Sequence, residues 1–386
     1  MKGVWRPSDR AENRYHYVPF DAGPDGFTVT LAYDRRAGVL DLGLFDPAGN
    51  FRGNSSSARD TFTVTPQWAT PGYLPGEVPA GQWSVLLGLH RVPPSGLPWE
   101  ITVSAPGQPP AVSSPDPVGK PPKRTDLPEV DGLRWLAGDL HAHTVHSDGS
   151  LSIDELAALA ASSGLDFLAV TDHNTTSHHL YLAAAGRRYG ITLLPGQEVT
   201  TDRGHANAFG DIGWVDFRRP ATDWDRGLLS INHPLGADCA WLQPLTRKPR
   251  LAEVWHSGWW DRTWGAPLAW LLAWDPATVP VGGSDFHNPR EHRLGQPTTW
   301  VLAASSEVDD VLKALAEGRA AISESPQGPL LLRVGGEFLV LGAEGLLLAG
   351  FDGRRSVVKS GRWAVPAEPG LHWLEDDTTR IMAIAA

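Results

Sequence analysis

The sequence predicts an α/β protein in which a barrel built on a parallel sheet follows an all-β domain and precedes a short β extension. Three observations predict it. Up to about residue 105 the apolar runs are short, partly alternating and separated by turn residues. A proline-rich stretch then interrupts the chain. Beyond it, strand-like runs alternate with helical patterns, which implies parallel strands joined by crossover helices.

The first region supplies FTVT at 27–30, VLDLGL at 39–44, FTVT at 62–65, WSVLLGL at 83–89 and WEITVSA at 99–105, divided by turns such as DPAGN at 46–50. No helical period appears, and a β-sandwich fits residues 1–105. Residues 106–126, PGQPPAVSSPDPVGKPPKRTD, offer no packing face and form a linker. The region 127–325 opens with RWLAGDLHAHT, an apolar run with a polar end. SIDELAALAASSG follows as a helix, with Ser152 and Glu155 as its capping box and Gly164 at its stop. DFLAVTDH, an alanine-rich helix ending in RRYG, and ITLLPGQEVTT repeat the alternation. LLSINHP, RLAEVW and VPVGGSDFH are further strands, and TTWVLAA precedes the helix SSEVDDVLKALAEG. Polar residues gather at the ends of these runs, where barrels of this kind hold their chemistry. Residues 326–386 return to short β runs.

A chain of 386 residues, 41% of them hydrophobic, has material for two or three domains with real cores. Its formal net charge of -11 argues against an electrostatic nucleic-acid binder. A metal site could still carry a local positive field, so small anionic substrates stay open. The single cysteine, Cys239, excludes an intrachain disulfide and a thiolate zinc cluster. The start of the chain has no apolar run, and no stretch reaches the ~18 apolar residues of a membrane span. The expected location is the cytoplasm, with no membrane partner. Oligomeric state is left open.

Of 14 histidines, 11 fall between His141 and His292. His141 and His143 are two residues apart at a strand end, so both imidazoles can face one ion. Asp148 follows in a turn. Asp172 and His173 end the next run, Glu198 the one after. His205 lies in HANAFG and His233 in INHP, and Asp285 and His287 repeat the two-residue spacing. A lone histidine at a strand end is usually structural, but two spaced pairs with TDH, Glu and NHP elements between them are a metal-site pattern. Nine N/O donors exceed the needs of one ion and suit two or three divalent ions, with zinc, manganese or iron expected. Glu198 can bridge two of them.

The segments DLHAHTVHSDG, VTDHN, PGQEVT, INHP and GSDFH resemble the motifs of the PHP (polymerase and histidinol phosphatase) family over roughly 133–325. The β domain ahead and the β tail behind resemble the carbaryl hydrolase-like branch. The resemblance implies a distorted (β/α)7 barrel with a trinuclear site. It places His141, His143, Glu198 and Asp285 on one ion. Glu198, His205 and His233 fall on a second, and Asp148, His173 and His287 on a third; His256 is the fallback for His205.

Other residues are weaker candidates. His146, His178, His179 and His292 flank the ligands and are expected as solvated loop histidines. Arg290, or Arg293, follows GSDFH and could clamp an anionic substrate. His233 or Asp285 could accept the proton, although ligation would compromise either. Trp270 and Trp274, four apart, are expected to pack as a helix face, while others of the tryptophan-rich 255–274 region could roof the pocket. The expected function is a multinuclear metal-dependent hydrolase, foremost a phosphoesterase on a small phosphate ester. A carbamate, ester or amide hydrolase on the same metals is the alternative, with an aryl ester as the other candidate substrate. A β-sandwich binding module with a relict site is the third reading, and the intact ligand set argues against it.

Overall fold

Alternating apolar residues build the N-terminal region as two four-stranded antiparallel sheets around one core. Lys2–Trp5, Leu97–Ser104, Phe27–Tyr33 and Thr61–Val64 form one sheet; Tyr15–Ala22, Gly81–Arg91, Val39–Phe45 and Phe51–Asn54 form the other. Phe27, Val29 and Leu31 meet Leu40, Leu42, Val85 and Leu87 between them. Each such side chain contributes roughly 1.5–3 kcal/mol by leaving water. The computed structural model describes residues 1–386 except 112, 113, 118, 120, 122, 123, 225, 246 and 386, and the side chain of 238. Part of the expected linker 106–126 therefore lies outside the described residues. What is described there is not free of contacts, since Tyr189 Oη donates to the Pro115 carbonyl at 2.6 Å.

The second region is one large sheet. Arg134–Asp139, Phe167–Val170 and Thr192–Thr201 run parallel, as do Leu228–Ile231, Leu251–His256 and Val279–Gly283. Gly204–Phe209 lies between the two sets, antiparallel to both neighbours. The regular strand–helix alternation expected from the sequence is therefore only partly met. Asp202 and Arg203 alone connect Thr192–Thr201 to Gly204–Phe209, and so short a link permits only a hairpin. The outer edges of this run meet again just past the strands. Ala142 bridges Phe286 in parallel, and the His143 N–H donates to the Phe286 carbonyl at 2.8 Å.

Helices Ile153–Ser162, His179–Tyr189, Ala266–Trp274 and Val308–Ala316 pack on the sheet. The first has its capping box: Glu155 N–H donates to Ser152 Oγ, and Ser152 N–H donates to Glu155 Oε2. Such a cap is worth about 1 kcal/mol. Trp270 and Trp274 stack at 5.4 Å on the third helix. Of the C-terminal β runs, Ile381–Ala385, His372–Glu375, Leu347–Gly350 and Arg355–Val357 continue the same sheet through Ala320–Ser323, while Leu330–Val334, Glu337–Leu341 and Arg362–Pro366 form a separate antiparallel sheet. No helix among the described residues is long and apolar enough to cross a membrane.

The sandwich packs hard against the larger sheet. Phe45 and Leu86 share a buried cluster with Val199, Ala206, Phe217 and Trp224, and Phe51 stacks on Trp214 at 4.0 Å. A polar contact adds to it. Gly72 N–H faces Ser177 Oγ at 3.1 Å and His146 Nδ1 at 3.3 Å, and Thr175 Oγ1 donates to the Gly72 carbonyl at 2.8 Å.

Candidate metal centre

The donors sit where parallel strands end. His141 and His143 follow Arg134–Asp139, and His173 follows Phe167–Val170. His233 follows Leu228–Ile231, and Asp285 and His287 follow Val279–Gly283. Glu198 and His205 face one another across the hairpin, with Glu198 Oε1 3.1 Å from His205 Nδ1. His233 at φ 28° and Asp285 at φ 51° adopt a left-handed backbone that non-glycine residues rarely take. Strain of this kind persists only where the surroundings enforce it.

All nine predicted donors fall into overlapping groups whose ligand atoms lie within 4.8 Å of one another. One group is His141, His143 and Asp285; another is Glu198, His205 and His233; a third is His143, Asp148, His173 and His287. Glu198 is fully buried at their centre. Its Oε1 faces His205, His233 at 3.3 Å and His141 at 3.4 Å, while Oε2 faces His173 at 2.7 Å and His143 at 3.6 Å.

The tautomers show that this set fits cations. His141 Nδ1 meets Glu253 Oε1 at 3.0 Å, so it carries the hydrogen. Its Nε2 is buried with no hydrogen-bond partner, yet Asp285 and Glu198 oxygens lie 3.2 and 3.4 Å away. His287 repeats the pattern: Nδ1–H donates to the Asp285 carbonyl at 2.8 Å, and Nε2 lies 3.2 Å from Asp148. Carboxylate oxygens this close to a ring nitrogen call for positive charge there, either a proton on the ring or a bound cation. The field agrees. Burial disfavours charge on His141, but Asp285, Glu253 and Glu198 outweigh it and hold its pKa well above the ordinary range. His173 is partly buried, and Asp148 and Glu198 push it up to about 10. His143 goes the other way, down to about 4, through burial and the neighbouring His287 and His173.

Several flanking residues differ from expectation. His146 and His178 are buried rather than solvated. The Gly72 loop of the N-terminal sandwich covers His146, while His178 turns into the sheet, its Nε2 facing the Val170 and Gly196 carbonyls. Asp172 joins none of the ligand groups. It accepts from Thr144 N–H at 2.8 Å, Thr144 Oγ1 at 2.7 Å and Ser147 Oγ at 2.6 Å, and so holds the turn that carries Asp148. Arg290 is exposed on the loop after His287, its own N–H donating to Asn288 Oδ1. Neither ring nitrogen of His233 is free: Nδ1 lies 3.3 Å from Cys239 Sγ and Nε2 faces Glu198.

Sequence reasoning missed Glu253. Its Oε1 orients His141 and its Oε2 accepts the His233 N–H at 2.9 Å. The available signal was an acidic residue inside the buried run LAEVW. His256 was underrated too. Gly258 N–H donates to its Nδ1 at 2.9 Å, so Nε2 carries the hydrogen and meets Asp285 Oδ2 at 3.1 Å.

Known proteins resemble this region. Residues 139–261 match the family model of the PHP domain. The chain is 42% identical over 66 residues to a 3',5'-nucleoside bisphosphate phosphatase of Chromobacterium violaceum, covering 17% of this chain and 23% of that protein. It is 37% identical over 62 residues to a phosphoribosyl 1,2-cyclic phosphate 1,2-diphosphodiesterase of Eggerthella lenta, covering 16% of this chain and 24% of that one. The chain thus spans about a quarter of the length of the curated relatives it matches. A solved two-domain protein from Bacteroides vulgatus, containing a predicted PHP-like metal-dependent phosphoesterase, aligns with 72% of this chain and 99% of its own at 18% identity and a TM-score of 0.45. The strand ends that present His141, His143, His173, Glu198, His205 and His233 all lie in the matched segment, and the chain carries a PHP domain.

Proposed function

We propose that the chain is a multinuclear metal-dependent phosphoesterase acting on a small phosphate ester. The observation that carries this reading is Glu198, one buried carboxylate set among five histidines that all belong to candidate donor groups. The named activities of the relatives from Chromobacterium violaceum and Eggerthella lenta support it.

In this reading His141, His143, Glu198 and Asp285 hold one divalent ion, Glu198, His205 and His233 a second, and Asp148, His173 and His287 a third. Zinc, manganese and iron all suit such N/O donors. Ions bound there supply acidity to a water molecule and charge to offset that of phosphate oxygens. The protein does the rest. Glu253 and the Asp285 carbonyl hold His141 and His287 in the tautomer that turns Nε2 inward. Asp172 keeps the Asp148 turn in place. His256, at the mouth of the cleft, donates its Nε2–H to Asp285 Oδ2 and so holds that carboxylate in place. His233 and Asp285 serve as ligands, since both ring nitrogens of His233 are engaged. Arg290, exposed beside this loop, meets anionic substrate on approach. The distorted seven-stranded barrel is the frame this reading assigns to residues 127–325, between a sandwich over 1–105 with its linker 106–126 and the β segment 326–386.

The test pairs elemental analysis of protein purified without chelator with a screen of phosphomonoesters, phosphodiesters and aryl esters. More than one metal equivalent and phosphate release are expected. Hydrolysis of carbamates or carboxylic esters alone would move the chain to the carbaryl hydrolase-like alternative, and protein that takes up no metal would end the reading.

A further inference from the structure

From the ion pairs that join the N-terminal domain to the ligand hairpin, we infer that Arg14 is a positioning residue for the metal centre. Through Asp202 it fixes the turn that sets His205 against Glu198. This rests on the metal-centre reading above and adds to it a part played by the N-terminal domain.

Thr192–Thr201 and Gly204–Phe209 bring two of the donors together, with Glu198 Oε1 3.1 Å from His205 Nδ1. His205 pairs with Thr200 next to the turn, whereas Glu198 pairs with Asn207 further along the ladder. A hairpin loosens first at its open tip, so His205 is the ligand that the placement of the turn governs most. This turn is tied on both sides. On one side Asp202 Oδ1 meets Arg14 Nη1 at 2.7 Å, and its Oδ2 meets Arg10 Nη2 at 3.5 Å. On the other, Leu242 N–H donates to the Arg203 carbonyl at 2.8 Å, and Gln243 Nε2 donates to Thr201 Oγ1 at 3.0 Å.

Arg14 is itself held for this contact. Its side chain is only 17% exposed, against 41% for Arg10. Its Nη2 donates to His90 Nδ1 at 3.0 Å, and its carbonyl accepts the Leu89 N–H at 2.9 Å. Burial pushes the Asp41 carboxyl up, and Arg14, His90 and, from the metal centre, His173 oppose that rise. Arg14 thus serves a carboxylate of its own domain and one of the hairpin. A lone exposed ion pair contributes little, but a half-buried guanidinium in a network of charges contributes more. The apolar contact of Phe45 and Leu86 with Val199 and Ala206 holds the two strands to the sandwich. It is non-directional, so the orientation of the turn falls to the charges.

The experiment uses the full chain, stripped by chelator and titrated with Zn²⁺ by calorimetry. The proteins are the native chain, Arg14→Glu, Asp202→Arg and the variant carrying both changes. Hydrogen exchange over residues 199–209 is followed on the same metal-free proteins. Arg14→Glu turns a carboxylate toward Asp202, and the apolar contact around Phe45 should keep the domains docked. It should weaken one Zn²⁺ step by about 10-fold, the scale of coupling within one charge network, and leave the other steps unchanged. Exchange over 199–209 should quicken with it. The double variant restores opposite charges and should recover both readouts. Unchanged Zn²⁺ binding in Arg14→Glu, an equal loss at every step, or a double variant no better than Arg14→Glu would overturn the inference. If the native chain takes up no Zn²⁺, the metal-centre reading fails separately. The clamp on the turn is then judged by exchange alone: quickening in Arg14→Glu that the double variant reverses upholds it, and unchanged exchange ends it.

Discussion

The two flanks of the ligand cluster are built differently. Behind Asp148 and His173 the surface is polar and closed: Gly72 of the sandwich inserts between the 144–148 and 174–178 segments, and the Arg59 guanidinium reaches the Val145 carbonyl. Beside His233, His256 and Asp285 the surface is apolar and open, with Trp260 and Trp264 facing solvent. The difference teaches how one site separates two tasks. Buried, satisfied polar contacts hold ligands still, whereas exposed apolar surface is left where something must enter. It also sets the sandwich, despite the proline-rich segment that follows it, against the ligand cluster as a packed wall.

The largest effect should come from the residue both flanks share. Glu198→Gln keeps the shape but removes the charge set among five histidines, so metal content and hydrolysis should fall together while the urea midpoint of the chelated protein stays put. The loss should exceed the ~10–100-fold typical of outer partners. A variant that keeps its metals and most of its rate would remove Glu198 from the centre and with it the link between flanks.

Next come the supporting carboxylates, one per flank. Asp172→Asn loosens the Asp148 turn, and Glu253→Gln frees His141 and the His233 backbone. Each should cost ~10–100-fold in activity or metal affinity. Metal titrations should separate them by flank. Identical losses at every site would mean the flanks are not independent.

A smaller effect, on stability, should follow Gly72→Ala. The residue has φ +101°, and a Cβ there would stand 2.8 Å from the His146 carbonyl and 2.9 Å from that of Asn54. Strain of about 1–3 kcal/mol is expected, read as a lower urea midpoint with a modest loss of rate. Unchanged stability would show that the sandwich only rests on the closed flank. The smallest effect is expected from Arg290→Ala. An exposed charge acts through a screened field, so KM should rise by a few-fold, more at low salt, with kcat unchanged. A salt-independent loss of kcat would place Arg290 in the centre itself.

Much of this site was legible in the sequence because ligand chemistry writes itself locally. His141 and His143, and Asp285 and His287, announce themselves by alternate spacing at strand ends, and Ser152 with Glu155 marks a helix start by its capping box. Glu253 was not legible, since its role depends on which two histidines its oxygens reach across the sheet. Nor was the burial of His146 and His178. No local pattern says that Gly72, more than 70 residues upstream of His146, comes to cover it, or that His178 turns in to the Val170 and Gly196 carbonyls. The antiparallel Gly204–Phe209 strand was half legible, as its short connection is in the sequence but its place between two parallel sets is not. The sequence by itself thus determined which donors exist and which apolar runs pair with water or with a core, because periodicity and side-chain chemistry are local. Only the tertiary structure decided which flank is closed and which is open, because that depends on a contact between segments that sequence order keeps far apart.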